Sequence, residues 1–105
     1  MIIRSAVLEG VVAEADRGRF DSYMRETAAM AIGRYPGIRA VKLRRPVERE
    51  DGAPEVYMIF DLYFDDLKAM RAALASPVRA AVRAALGEVM PMLRGRFYHL
   101  VMEEG

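Results

Sequence analysis

The sequence predicts an α+β domain in which a single antiparallel sheet of four strands packs against two helices. Three observations indicate this fold class. Residues 55–64 alternate in hydropathy as a β-strand does. Two longer segments, from Phe20 to Ala31 and from Asp65 to Val89, carry apolar residues at helical spacing. The elements follow one another in the order strand, helix, strand, strand, broken helix, strand.

The first, second and fourth strands are predicted from their composition. Ile2–Val12 is rich in β-branched residues and is charged only at Arg4 and Glu9, which indicates a strand in the interior of the sheet. Ile38–Leu43 is more polar, as expected of an edge strand that is protected by its own charges. Arg96–Met102 closes the chain as the fourth strand.

The third strand determines how the sheet is covered. One of its faces is wholly apolar, and the other is also mainly apolar; the two faces consist of Val56, Met58, Phe60, Leu62 and Phe64, and of Tyr57, Ile59, Asp61 and Tyr63. Helices on the first face leave the second face open to water. In a chain this short we expect a second copy of the chain to cover it.

Turn and capping residues set the limits of the helices. Asp16–Arg19 offers capping groups before the first helix, and Gly33–Gly37, with its proline, ends it. Asp65 or Asp66 is expected to cap the second helix through its carboxylate. Ser76-Pro77 is expected to interrupt and restart this helix, with serine as the cap and proline at the first helical position.

This order of elements is the split βαβ plan of a ferredoxin-like fold. Right-handed crossovers place the first and third strands in the centre of the sheet and both helices on one side. The whole chain, residues 1–105, is expected to form one such domain. Two of these sheets packed face to face would make a dimeric α+β barrel.

Composition excludes several classes of function. Sixteen Lys and Arg residues nearly balance fifteen Asp and Glu residues, so no broad field would attract nucleic acid or a membrane surface. Cysteine is absent and His99 is the only histidine, which excludes zinc-thiolate and multi-histidine metal sites. The absence of cysteine, of an apolar run of membrane-spanning length and of a basic leader predicts a cytoplasmic protein. The absence of a glycine-rich phosphate loop and of a metal-ligand cluster predicts that it uses no metal or nucleotide cofactor.

Several stretches resemble the EthD-like proteins of the dimeric α+β barrel superfamily. The residues that carry the resemblance are Phe20 and Tyr23, Tyr35-Pro36-Gly37-Ile38, the passage Phe60 to Ala75, and Ser76-Pro77. The resemblance spans most of the chain and implies a homodimer with one cavity for a small organic ligand in each subunit. Relatives take part in ether degradation, lactone isomerisation and dehydration of aromatic polyketides, and neighbouring families include cofactor-free monooxygenases. Several members carry a histidine in the first helix, where this chain has Glu26, Thr27 and Ala28.

His99 and Asp61 are the candidate catalytic residues. The imidazole of His99 titrates near physiological pH and lies in a strand predicted to be buried; its alternative role is packing between sheet and partner. Desolvation by its apolar neighbours would make Asp61 a useful base, although an ion pair with Arg4 or Arg39 across a dimer is the favoured alternative. If both faced the same side, they would stand about 10 Å apart and flank a ligand.

Tyrosines are the candidate ligand-binding residues. Tyr57, Tyr63, Tyr98 and Tyr23 each combine an apolar ring with a hydroxyl that can orient a carbonyl or a phenol, although packing alone explains any one of them. Tyr35, like Tyr23, can border the space between helix and sheet. At least one tyrosine is expected to line a pocket.

Arg79 and Arg83 lie four residues apart on a helix. The pair can hold an anion or can simply form part of a solvated face.

Three functions are compatible with these residues. The leading hypothesis is a small-molecule enzyme, a cofactor-free oxidoreductase, isomerase or dehydratase, that uses His99 or Asp61 for proton transfer on a hydrophobic carbonyl or aromatic metabolite. The second is a dimeric binding or accessory protein for such a molecule. The third is a structural dimer module whose inner cavity is filled by side chains.

Overall fold

In the computed structural model, which describes residues 1–105, strands and helices follow one another in the predicted order. The strands are β1 (Ile2–Val12), β2 (Ala40–Arg44), β3 (Val56–Phe64) and β4 (Leu93–Glu103). The helices are α1 (Glu14–Tyr23), α2 (Ala29–Ile32), α3 (Leu67–Leu74) and α4 (Val78–Gly87). A π-helical turn, Met24–Ala28, joins α1 to α2, and a 3-10 turn, Met90–Met92, precedes β4.

The sheet has the order β2-β3-β1-β4, and all neighbouring strands are antiparallel. The first and third strands therefore lie in the centre, which confirms the ferredoxin-like arrangement predicted from the order of elements. β4 pairs with β1 over its whole length, from Glu103 opposite Ile2 to Leu93 opposite Val12. The strand is longer at both ends than the predicted Arg96–Met102. Its start was missed because Arg94 and Gly95 interrupt the apolar pattern there.

The helices cover one face of the sheet, which we call the helix face, and the core lies between them. The even-numbered residues of β3 from Met58 to Phe64 are at most 5% exposed, as their alternation predicts. The helical layer contributes the apolar stripe Phe20, Met24, Ala28, Ile32, Met70, Ala73 and Val82. No helix combines the length and the hydropathy that crossing a bilayer requires.

The opposite face of the sheet, which we call the outer face, carries exposed apolar side chains in the single chain. Leu100 pairs with Ser5 and Met102 pairs with Ile3, and these residues point away from the helices. Leu100 is 49% exposed and Met102 is 42% exposed. Exposed apolar residues that are contiguous on one face of a sheet indicate a surface that another molecule covers.

The predicted position of Tyr57 is wrong. Strict alternation places it on the outer face, but the register shifts after Leu8 pairs with Met58, so that Glu9 pairs with Val56 and Tyr57 has no partner on β1. Its ring instead packs edge to face against Phe20 of α1, with 5.6 Å between ring centroids. The irregularity therefore turns this tyrosine towards the helices.

The predicted cap at the start of α4 is also wrong. The Ser76 hydroxyl donates to the Ala73 carbonyl oxygen at 2.6 Å, so it satisfies the end of α3, and α4 has no side-chain cap. The break at Ser76-Pro77 is present as predicted, because α4 begins at Val78. Asp66 caps α3 by accepting a hydrogen bond from the Ala69 amide at 2.8 Å.

Candidate functional site

A small apolar cavity lies between the helix face of the sheet and the helical layer. Its volume is ≈ 40 Å³. Apolar side chains of both layers form its walls: Ala6, Leu8, Met24, Ile32, Phe60, Leu62, Val82 and Leu86. Arg4 and His99 are the only charged or titratable nitrogen groups that line it, so the polar chemistry is concentrated at one end.

That end opens into a wider cleft, which we call the mouth. The mouth has a volume of ≈ 330 Å³ and shares six residues with the cavity wall: Arg4, Tyr35, Val82, Leu86, Phe97 and His99. Arg79 and Arg83 of α4 complete it. The cavity and its mouth therefore present an apolar pocket with a basic rim, which suits an amphipathic small molecule.

The position of His99 follows from strand pairing. His99 lies opposite Ala6 of β1, and the alternation of β4 places it on the helix face together with Phe97. The two rings pack edge to face, with 4.9 Å between their centroids. The prediction that His99 lies in a buried strand is wrong, because β4 is an edge strand and most of its residues, His99 included, are exposed in the single chain.

The environment of His99 keeps its imidazole neutral. Partial burial lowers its pKa to about 4, and the positive charges of Arg4 and Arg79 act in the same direction. At neutral pH the ring can therefore accept a proton. Accepting it becomes easier when a negative charge enters the mouth and offsets the arginines.

The arginines of the mouth carry charge that no acidic side chain neutralises. The chain forms four ion pairs, and none of them involves Arg4, Arg79 or Arg83. Burial and the charges of Arg79 and Arg83 lower the pKa of the Arg4 guanidinium. Like charges held together at the rim of a cavity favour an anionic or oxyanionic partner.

Tyr35 supplies a hydroxyl at the same place. The residue is 5% exposed, and burial raises its pKa, while the charges of Arg4, Arg79 and Arg83 oppose that rise. The phenol stays protonated at neutral pH and can donate a hydrogen bond to a bound oxygen.

Asp61 does not lie in this pocket. It pairs with Ser5, the neighbour of Ala6 along β1, and so faces the outer side of the sheet while His99 faces the helices. The two candidate catalytic residues therefore do not flank one ligand in the single chain.

Asp61 is held in a network on the outer face. Ser5 Oγ donates to its Oδ1 at 2.6 Å, and Arg44 Nε donates to its Oδ2 at 2.7 Å. The expected ion pair is therefore formed with Arg44 of the same chain rather than with Arg4 or Arg39. Arg39 pairs with Asp65 instead.

The four tyrosines chosen from the sequence lie away from the cavity. The Tyr23 hydroxyl donates to the Ala85 carbonyl oxygen at 2.7 Å and so links the two helical segments. The Tyr57 hydroxyl donates to Asp21 Oδ1 at 2.6 Å at the far end of the helical layer.

Tyr98 and Tyr63 lie on the outer face. The Tyr98 hydroxyl donates to Glu9 Oε1 at 3.2 Å, and the Lys42 ammonium stands 4.7 Å above the centre of the Tyr63 ring. Of the five tyrosines, Tyr35 alone lines the cavity.

The first helix brings no acid or base into the cavity. Glu26 and Thr27 are exposed, and Ala28 is buried in the core at 1% exposure. Met24, at the start of the π-helical turn, forms the wall there instead. The sequence suggested Arg4 only as an ion-pair partner of Asp61, although Arg4 shares the even-numbered face of β1 with Ala6 and Leu8 and so could have been placed at this cavity.

Comparisons with known proteins identify relatives by structure only. No protein-family model matches the chain, and no curated protein matches its sequence. An EthD family protein from Bacillus halodurans is 23% identical, with a TM-score of 0.81 over 100% of this chain and 99% of that one. A putative antibiotic biosynthesis monooxygenase from Deinococcus radiodurans is 17% identical, with a TM-score of 0.67 over 100% of this chain and 93% of that one.

A further similar structure is that of SnoaB, a cofactor-independent oxygenase from Streptomyces nogalater, which is 19% identical with a TM-score of 0.60 over 98% of this chain and 90% of that one. A dimeric ferredoxin-like protein of unknown function from Jannaschia is 17% identical, with a TM-score of 0.66 over 99% of this chain and 100% of that one. At these identities the likeness concerns the fold. The chain therefore has the ferredoxin-like α+β fold of the EthD-like proteins, as its resemblance to them predicts.

Proposed function

We propose that this chain is a small-molecule enzyme that transfers a proton to or from a hydrophobic carbonyl or aromatic metabolite. The observation that carries the proposal is the position of the His99 imidazole at the mouth of an apolar cavity, beside Arg4 and Arg79. Proteins with the same fold include an EthD family protein and a cofactor-independent oxygenase. Isomerisation, dehydration and cofactor-free oxidation of such a metabolite all begin with a proton transfer of this kind.

The proposed step needs only groups that line the pocket. Neutral His99 takes a proton from a carbon next to the ligand carbonyl, and the electron pair of that C–H bond moves towards the carbonyl oxygen. The guanidinium groups of Arg4 and Arg79 and the Tyr35 hydroxyl stabilise the developing oxyanion. Return of the proton to a different carbon gives an isomer, and a positioned base of this kind contributes roughly 10²–10⁴-fold in rate.

We also propose that the functional unit is a homodimer. The outer face carries Leu100 and Met102 with large exposed fractions, and a protein of the same fold is described as dimeric. A second copy placed on this face would cover these side chains and the network around Asp61. The cavity lies on the helix face of each subunit, so each copy would keep its own pocket.

Hydrogen–deuterium exchange tests the proton-transfer step. 2-Tetralone, an apolar ketone with acidic C–H bonds, is incubated in D₂O with the wild type, His99→Gln and Asp61→Asn, and exchange is followed by NMR. The wild type and Asp61→Asn are expected to accelerate exchange, whereas His99→Gln should lose most of the acceleration, by at least about 10². Acceleration that survives in His99→Gln and is lost in Asp61→Asn would move the reaction to the outer face.

The second candidate is a binding protein for the same class of molecule. The low pKa of His99, about 4, makes the resting imidazole a weak base, which favours this alternative. The two candidates separate in the same experiment. A binding protein would shift the single His99 resonance on addition of 2-tetralone without accelerating exchange.

A further inference from the structure

We infer that the pocket is built for a ligand that carries a carboxylate, with the carboxylate at the arginines of the mouth and the apolar body against the apolar side of the mouth, where the cavity opens. Arg79 and Arg83 are the residues that select it, and Arg4 supports them from the sheet. This inference rests on the proposed pocket and adds the chemical class of the ligand.

Three arginines from two layers of the fold meet at the mouth. Arg79 and Arg83 lie one helical turn apart on α4, so their side chains share one face of the helix. Arg4 reaches the same cleft from β1. Three guanidinium groups from two layers thus converge on the rim of one cavity.

The arginines of the mouth have no acidic partner within the chain. A pair of like charges one helical turn apart is unfavourable, and ion pairing with a nearby carboxylate normally relieves it. The four ion pairs of the chain lie elsewhere, at Arg39, Arg44, Arg45 and Arg96. No aspartate or glutamate lines either the cavity or its mouth. The mouth is therefore complementary to an anion that comes from outside the chain.

The side chains of the mouth favour an anion that is a carboxylate on a hydrophobic body. A guanidinium group forms two parallel hydrogen bonds with a carboxylate, and its planar shape matches that group better than an ammonium does. The mouth also has an apolar side formed by Val82, Leu86 and Phe97, so the rest of the ligand is hydrophobic. An aryl or alkyl carboxylic acid satisfies both conditions.

A matched pair of probes tests the inference. Phenylacetate and phenylacetamide have nearly the same shape, and only the first is charged. Binding of each to the full chain is measured by NMR through the single His99 resonance and through amide shifts of α4. The acid is expected to bind about 10-fold more tightly than the amide, the effect of one charge-assisted contact.

Variants assign the preference to the arginines. The double substitution Arg79→Gln and Arg83→Gln should remove most of the preference for the acid while the affinity for the amide stays the same, and Arg4 accounts for any small remainder. Arg71→Gln removes an exposed arginine of α3 that does not line the pocket, and it should keep the full preference for the acid.

Two results would overturn the inference in distinguishable ways. Equal binding of acid and amide to the wild type, or a preference for the acid that is undiminished in the double variant, overturns the inference and leaves the proposed pocket standing. Failure of both probes to shift the His99 resonance counts against the pocket itself, and the inference fails with it.

Discussion

At the scale of single residues, the site depends on a histidine that its neighbours hold neutral. The sequence makes His99 a candidate because an imidazole titrates near physiological pH and because the residue lies in a strand predicted to be buried. It did not place His99 beside Arg4, Arg79 and Tyr35, because these residues come from separate elements and meet only when α4 packs on the sheet. Spacing along the chain identifies faces within one element, whereas the contents of a pocket depend on how elements are rotated against each other.

The protonation of His99 gives the first prediction. Its pKa is lowered to about 4 from an ordinary value of 6.5, so below the ordinary value the unfolded chain binds more protons than the folded one. The free energy of unfolding should therefore fall as the pH drops from 6.5 towards 4, and this contribution should be constant above that window. NMR titration of the single imidazole measures the folded pKa directly.

Variants test whether the arginines of the mouth cause the low pKa of His99 and whether His99 causes the pH dependence of stability. Arg79→Gln should raise the pKa of His99, because it removes one of the two charges that lower it, whereas Arg71→Gln should leave it unchanged. In His99→Gln, urea unfolding should lose the part of the pH dependence that this residue causes. A His99 pKa near 6.5 in the wild type would contradict the described environment of the ring.

Removal of the Asp61 carboxylate is the second prediction. The Ser5 hydroxyl is 1% exposed and donates to Asp61, so Asp61→Ala leaves a buried donor without an acceptor. We expect the free energy of unfolding, measured with urea, to fall by about 1–3 kcal/mol.

Two comparisons test whether the loss of stability in Asp61→Ala comes from the unpaired Ser5 hydroxyl. Asp61→Asn keeps an acceptor for Ser5 and should lose less than Asp61→Ala. Asp65→Ala breaks the exposed pair with Arg39 and should cost less than Asp61→Ala, because solvent screens this pair. Equal losses in Asp61→Ala and Asp65→Ala would show that burial of the network contributes nothing.

At the scale of elements, most of the fold follows from local pattern. The alternation of β3, the capping of α3 by Asp66 and the break before α4 are all visible in the sequence and present in the structure. The failures have local causes. A register shift moves Tyr57 to the helices, and a glycine near the start of β4 hides the true length of that strand.

The contact between β1 and β4 at Gly10 and Gly95 gives the third prediction. The two glycines lie opposite each other, and Gly10 has a φ of 137°, which residues with a Cβ rarely adopt. A Cβ at position 95 would collide with the Glu9 carbonyl oxygen. Gly95→Ala should therefore lower the free energy of unfolding by about 1–3 kcal/mol, as measured by chemical denaturation.

Gly18 provides the matched control. It lies in α1, and a Cβ there would meet no atom within 4 Å. Gly18→Ala should leave stability unchanged or raise it by up to about 1 kcal/mol, because alanine is the better helix former. If Gly95→Ala were as stable as Gly18→Ala, the close approach of the two strands would not be needed.

At the scale of the whole molecule, the sheet separates two regions of different chemistry. The helix face holds the cavity and its basic mouth, and the outer face holds exposed apolar side chains around the buried Asp61 network. The sequence predicts an outer face that needs cover, because β3 is mainly apolar on both sides. The proposed dimer interface and the proposed ligand site therefore lie on opposite surfaces and can be tested separately.

Oligomeric state is the last prediction. Sedimentation velocity of the wild type is expected to give a dimer that buries Leu100 and Met102. Leu100→Lys places a charge on the outer face and should shift the equilibrium to the monomer, because burying an unpaired ammonium in an apolar interface is costly. The same variant should keep the affinity of the pocket for phenylacetate, since its cavity lies on the other side of the sheet.

Val101→Lys is the matched control for this experiment. Val101 is the next residue of β4, is also 49% exposed and pairs with Arg4 on the helix face. A lysine there introduces the same charge at the same exposure but on the side away from the proposed interface, so the dimer should persist. Dissociation by both substitutions would indicate that the β4 edge, rather than the outer face, joins the subunits, and a monomeric wild type would contradict the proposed dimer.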